Sequence, residues 1–177
     1  PVSPARPQTD RMTESPANLL CKSCGLCCTG HLFVWTKLRS SELDSIQTLG
    51  VDVLREPGQR GFNQPCPLWQ GNCTIYETPQ YPRFCRTYKC KLLKQVLDDV
   101  TPLPSALTVI HRTKSLIHAL DVVLPASPSP NFRERLAAYL EREDVSPEIQ
   151  QQAGELLEVY ESQFGVTDLL EDPPQNS

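Results

Sequence analysis

The sequence contains no run of about 18 consecutive apolar residues, the length a membrane-spanning helix requires. It has no basic excess either: 17 Lys and Arg stand against 21 Asp and Glu, and the net charge is −4. Nucleic-acid and membrane-surface binding draw on clustered basic residues, so neither nucleic acid nor membrane is expected as a partner. The first twenty residues, PVSPARPQTDRMTESPANLL, hold no apolar h-region. No secretory signal peptide is therefore expected there, and the default location is cytoplasmic. Histidine is scarce, at three residues, and no glycine-rich nucleotide or methyl-donor loop is visible. No Ser/His/Asp or Cys/His nucleophile pattern stands out, and Glu77 and Asp44 have no obvious partner carboxylate for acid and base work. What remains has the composition of a globular protein, 39% hydrophobic and 21% charged, and its 177 residues suffice for one ordinary domain.

Against these absences stand 8 cysteines: Cys21, Cys24, Cys27, Cys28, Cys66, Cys73, Cys85 and Cys90. All fall between positions 21 and 90, and residues 91–177 contain none. Where no export signal is expected, such a set favours metal binding over redox dithiols, and both over structural disulfides. Cys21-Lys22-Ser23-Cys24 and Cys24-Gly25-Leu26-Cys27 are two C-x-x-C turns that share Cys24. Each such turn can bring two sulfurs to one ion or cluster. Gly25 allows a tight backbone turn that can aim amide N–H groups at the sulfurs. The run approaches the bacterial ferredoxin pattern but departs from it where Cys28 follows Cys27 directly. Side chains of adjacent residues leave the backbone in different directions. Cys27 and Cys28 are therefore not expected to serve one small ion together, and Cys28 can turn toward the downstream thiols as the link to a second site or a larger cluster.

The downstream set lies in QPCPLWQGNCTIYETPQYPRFCRTYKC. Positions five apart on an α-helix are out of phase, so Cys85 and Cys90 would share a site only if the helix starts between them or bends. Cys85 is expected near a helix start after Pro82, where N–H groups would lower its pKa. Lys22, Arg83, Arg86, Lys89, Lys91 and Lys94 lie close in sequence to these thiols and can offset the negative charge of a thiolate site. His31 is read as a strand-start or surface residue rather than a ligand, and His111 and His118 are too far apart along one helix to chelate together. Trp35, Trp69, Phe62 and Phe84 are expected to supply the apolar cover of the thiol-rich lobe.

The predicted elements describe a helical scaffold carrying that lobe. Residues 31–36, HLFVWT, and 73–77, CTIYE, read as short strands. Residues 40–50 read as a short helix capped by Ser41 and stopped by Gly50, and 55–72 as loop. A helix from about Arg83 or Thr87 to Asp99 is followed by one over 105–124, with apolar positions at three- and four-residue steps. Ser129 with Pro130, and Ser146 with Pro147, each mark a further helix start. The expected organisation is a disordered tail over 1–18, a Cys-rich metal-binding region over 19–100, a helical region over 101–169 packing on it as one domain, and a disordered tail over 170–177. The fold class is mainly α, with a small irregular Cys-rich metal-binding lobe and one or two short strands.

The order C-x-x-C-x-x-C-C, then QPC, C-x-I-Y-E and P-x-x-C-R-x-Y-x-C, over about residues 21–95, resembles the CxxCxxCC cysteine-cluster family of zinc- or iron-chelating proteins. The resemblance implies that all eight cysteines are metal ligands, with an iron-sulfur cluster or zinc as cofactor. It points to Tyr76, Arg86 and Tyr88 as motif neighbours. A flagellin lysine N-methylase carries a domain of this type, so the resemblance also implies metal-dependent protein modification as an alternative to simple chelation. A thiol redox protein is the remaining alternative. The metal ion or cluster is the expected partner, with no protein partner specified.

Overall fold

The computed structural model describes residues 14–170 and 172–174. Ser15 accepts a hydrogen bond from the Asn18 amide at 3.2 Å, and with Pro16 in the first turn it starts helix α1 (Pro16–Cys24). Residues 14–18 thus belong to the fold rather than to the expected tail; Asn18 further meets Glu77 and Tyr76. Residues 1–13 lie outside the described residues. The helix ends on Gly25, which takes the left-handed conformation at φ 66°.

Strand β1 (Trp35–Lys37) forms later in the apolar run than the sequence suggests. Residues 25–32 are instead knotted into turns: Thr29 donates to the Gly25 carbonyl, and the His31 and Leu32 amides both donate to that of Leu26. Helix α2 (Leu43–Gln47) has Glu42 at its cap position, not Ser41. The Glu42 carboxylate is engaged by the amides of Arg39 and Arg83, both at 2.7 Å.

Strands β2 (Leu54–Glu56) and β3 (Gln59–Asn63) form a hairpin where a loop was expected. Pro57 and Gly58 supply its turn, with Gly58 at φ 88°. The sheet is antiparallel in the order β1-β3-β2, with Thr36 opposite Phe62 and Leu54 opposite Gly61. Conversely, 73–77 is not a strand. Its amides close turns, Thr74 onto Leu68 and Thr78 onto Ile75, and only Cys73 makes an isolated bridge with Trp69.

The helix expected across 83–99 is two helices, α3 (Arg83–Thr87) and α4 (Lys91–Leu97). Tyr88 breaks them apart in extended conformation, and Cys90 stands at the cap position of α4. Helix α5 (Leu103–Asp121) buries Ala106, Ile110, Thr113, Ile117 and Leu120 on one face. Helix α6 (Phe132–Leu140) is capped by Asn131, whose side chain accepts from the Arg133 and Glu134 amides. Ser129, expected as the cap, instead binds the Asn131 amide and the Glu134 carboxylate. Ser146 does cap α7 (Pro147–Val159), which runs into a π-helical turn over Tyr160–Phe164 and stops at Gly165.

Two cores result. The larger joins α1, α4, α5, α6, α7 and the π turn through Leu20, Leu92, Ile110, Leu120, Leu136, Leu156 and Phe164. The smaller lies under the sheet and α2, built from Leu38, Leu43, Ile46, Val51 and Phe62. Beside the larger core the guanidinium of Arg133 is fully buried, donating to the carbonyls of Leu32, Asp168 and Leu169 and lying 5.6 Å from the Tyr160 ring. The C-terminal segment expected as a tail is also held, since Trp35 Nε1 donates to Asp172 at 2.9 Å and Pro173 is buried. The fold is mainly α, with seven α-helices and three short strands among the described residues.

Candidate metal centre

The turn chemistry of the first half places the thiols. Cys21 and Cys24 stand one helical turn apart on α1. Gly25 then reverses the chain, and the turns of 25–32 carry Cys27 and Cys28. The reversal needs glycine twice over. Its φ is left-handed, and a Cβ there would stand 2.2 Å from the indole of Trp69. The Cys66 amide donates to the Cys28 carbonyl at 2.7 Å, and the Trp69 amide to the Cys66 carbonyl at 3.1 Å. These bonds bring the loop carrying Cys66 and Cys73 back against the doublet. Cys85 comes from α3, and Tyr81 Oη donates to its carbonyl at 3.0 Å. Cys90 comes from the start of α4, which packs on α1.

The outcome is one cavity of about 90 Å³ lined by all eight cysteines. All eight are half-buried and none is in a disulfide. The rest of the lining is mostly apolar, with Leu20, Leu26, Ile46, Phe62, Phe84 and Leu92 among it, beside the polar Thr36 and Gln64. As the side chains stand, no group of three or more His, Cys, Asp or Glu among the described residues is closed around a single point.

Burial governs their protonation. Removal from water pushes Cys21 up to about 11 and Cys24 up to about 12, with the neighbouring Cys90 adding to both. It pushes Cys27, Cys28, Cys66, Cys73, Cys85 and Cys90 in the same direction. The expected lowering of the Cys85 pKa by the start of α3 is therefore reversed, because desolvation there, followed by the neighbouring Cys28, outweighs any favourable amide. Backbone N–H groups do work against burial at four sulfurs. Leu26 acts on Cys24, Leu68 and Trp69 on Cys66, Ile75 and Tyr76 on Cys73, and Leu92 and Leu93 on Cys90. Without metal the thiols are neutral at pH 7.

The surrounding cations are fewer than sequence proximity suggested. Lys94 favours the Cys90 thiolate. Lys22 pairs with Glu14 and lies 4.8 Å from the Tyr76 ring, while Arg86 donates to the Tyr81 carbonyl. Lys114, on α5, favours the Cys24 thiolate and donates to the Ser23 carbonyl at 3.0 Å. Nothing in the local sequence pointed to it, since 91 positions separate the pair. Tyr88 stacks on Phe84 and meets Phe33 edge-on, so its ring belongs to the apolar wall. Phe62 and Phe84 line the cavity as expected, Trp69 covers Gly25, and Trp35 instead anchors Asp172.

His31 does not line the cavity. Its Nδ1 lies 2.6 Å from Thr29 Oγ1, its ring meets Phe132 edge-on at 5.4 Å, and burial lowers its pKa to about 4. It is a neutral packing residue. His111 and His118 are exposed on α5.

Eight free thiols line one cavity on a helical scaffold, with backbone amides favouring the thiolate at four of them. Residues 20–104, just under half of the chain, match the model of the CxxCxxCC family, described as a "Putative zinc- or iron-chelating domain", and this segment is similar to that family. No curated protein and no solved structure matches the chain. No helix among the described residues is long and apolar enough to cross a membrane.

Proposed function

We propose that the protein binds a thiophilic metal through Cys21, Cys24, Cys27, Cys28, Cys66, Cys73, Cys85 and Cys90, as an iron-sulfur cluster or as zinc. The observation that carries this reading is the convergence of all eight free thiols on one cavity with no other polar side-chain chemistry comparable to it. The donor set fits either group, because both structural zinc and iron-sulfur clusters take all-cysteine ligation. The protein supplies the thiolates, the amide donors that stabilise them and the apolar wall that keeps water and competing ligands away. A bound metal also supplies stability to a lobe whose segments are mostly turns, since binding energy to a site that exists only in the folded chain is folding energy.

The test is elemental analysis and absorption spectroscopy of the full chain purified without air. Iron with acid-labile sulfide and a coloured protein establishes a cluster; a colourless chain with stoichiometric zinc establishes zinc. A chain free of both, with eight reactive thiols, overturns the proposal.

A further inference from the structure

We propose that the eight thiols form two separate metal centres, one on Cys21, Cys24, Cys27 and Cys90 and the other on Cys28, Cys66, Cys73 and Cys85, with the Cys27–Cys28 peptide as the wall between them. This rests on the metal-binding reading above and specifies how that site is divided.

The division follows the packing. Cys24, Cys27 and Cys90 pack against the larger, helical core, whereas Cys66 packs with Leu68 and Ile75 against the smaller core under the sheet. The backbone repeats it. The bond from the Cys66 amide to the Cys28 carbonyl ties Cys28 to the downstream loop, and the turns of that loop return Cys73 toward Cys66 through the Trp69 bridge. On the other side, α1 lies against α4, and Cys21 and Cys24 of α1 line the same cavity as Cys90 at the start of α4. The break at Tyr88 separates Cys85 on α3 from Cys90 on α4 and lets them serve different centres.

Each set contains two sulfurs that receive backbone N–H groups: Cys24 and Cys90 in the first, Cys66 and Cys73 in the second. Four thiols are the full complement of a tetrahedral zinc site or of an all-cysteine cluster. The adjacent pair in the sequence is then the means by which one tight loop serves two centres, because neighbouring side chains diverge.

The test is a Co²⁺ titration of the reduced, metal-free full chain, with visible absorption reporting tetrahedral thiolate ligation, on the wild type and on Cys90→Ser and Cys85→Ser. The wild type should saturate at two tight Co²⁺ per chain, and each variant should keep one. A chain isolated with clusters should show the same division as a halving of iron and acid-labile sulfide in each variant. Saturation of the wild type at one metal centre, or loss of all metal in either single variant that retains its helical circular dichroism, would overturn the division while leaving metal binding in place. Failure of the wild type to bind Co²⁺, zinc or iron would overturn both. If the variants do not fold, the wild-type count alone decides.

Discussion

Replacing Gly25 by alanine tests how the cysteine loop is built. The residue sits at φ 66°, where an L side chain costs roughly 1–2 kcal/mol. Its new Cβ would stand 2.2 Å from Cζ2 of Trp69, an overlap that must be relieved by moving the indole or the turn, at a further cost of about 1–3 kcal/mol. Gly50 provides the matched control. Its φ is 84° and nothing lies within 4 Å of its Cβ position, so Gly50→Ala carries the conformational part alone. The difference between the two variants isolates the Trp69 contact, and for a chain of this size it corresponds to roughly 2–12 °C in melting temperature. Thermal unfolding by circular dichroism, together with metal content per chain, is the assay. Gly25→Ala should melt well below Gly50→Ala and lose metal, because Cys24 and Cys27 flank the displaced residue. Equal melting temperatures with full metal in both variants would refute the assignment of Gly25 as the pivot of the thiol loop.

Arg133→Lys should destabilise the chain by roughly 2–4 kcal/mol in urea unfolding, because one ammonium cannot reproduce the fork that satisfies the Leu32, Asp168 and Leu169 carbonyls. His31→Ala should leave metal content unchanged while costing about 1 kcal/mol of ring packing against Phe132, whereas Cys24→Ser should lose metal; equal metal loss in the two would contradict the placement of His31 outside the site. Acidification should release metal steeply. Ligation requires thiolates, and burial holds the metal-free thiols of Cys21 and Cys24 near 11 and 12, so protons compete harder as pH falls. With four thiols each giving up one proton, apparent affinity should fall by up to about four decades per pH unit, measured by chelator competition. The metal-free fold should show the opposite limit. Its raised thiol pKa values favour the folded state fully below the ordinary value of 9.0, and that contribution is lost as pH rises from there toward 11 and 12, because the unfolded chain ionises first.

The helices were legible where periodicity and caps agreed, as for α5 and for α7 with its Ser146 cap. The hairpin of β2 and β3 was not, because Gly58 and Gly61 read as loop residues. Gly61 is required by close approach, since a Cβ there would fall 1.8 Å from the Thr36 carbonyl oxygen across the sheet. CTIYE carried strand-forming residues, yet its backbone closes turns that bring Cys73 to Cys66. Local propensity lost there to the demands of the loop. The proposed two-site division was suggested by the Cys27–Cys28 doublet but could not be assigned from spacing. Which thiols join which set depends on the packing of α1 on α4 and on the break at Tyr88, and both are long-range outcomes. Lys114 was invisible for the same reason.

The claim that the eight cysteines are the metal ligands is tested most directly by alkylating the full chain under denaturant-free conditions, with and without its metal, and locating the label by mass spectrometry. The account predicts that the metal-loaded chain protects Cys21, Cys24, Cys27, Cys28, Cys66, Cys73, Cys85 and Cys90 together, and that all eight take up label once a strong chelator has removed the metal. Identical labelling of the eight in both samples, with metal confirmed present in the first, would contradict it.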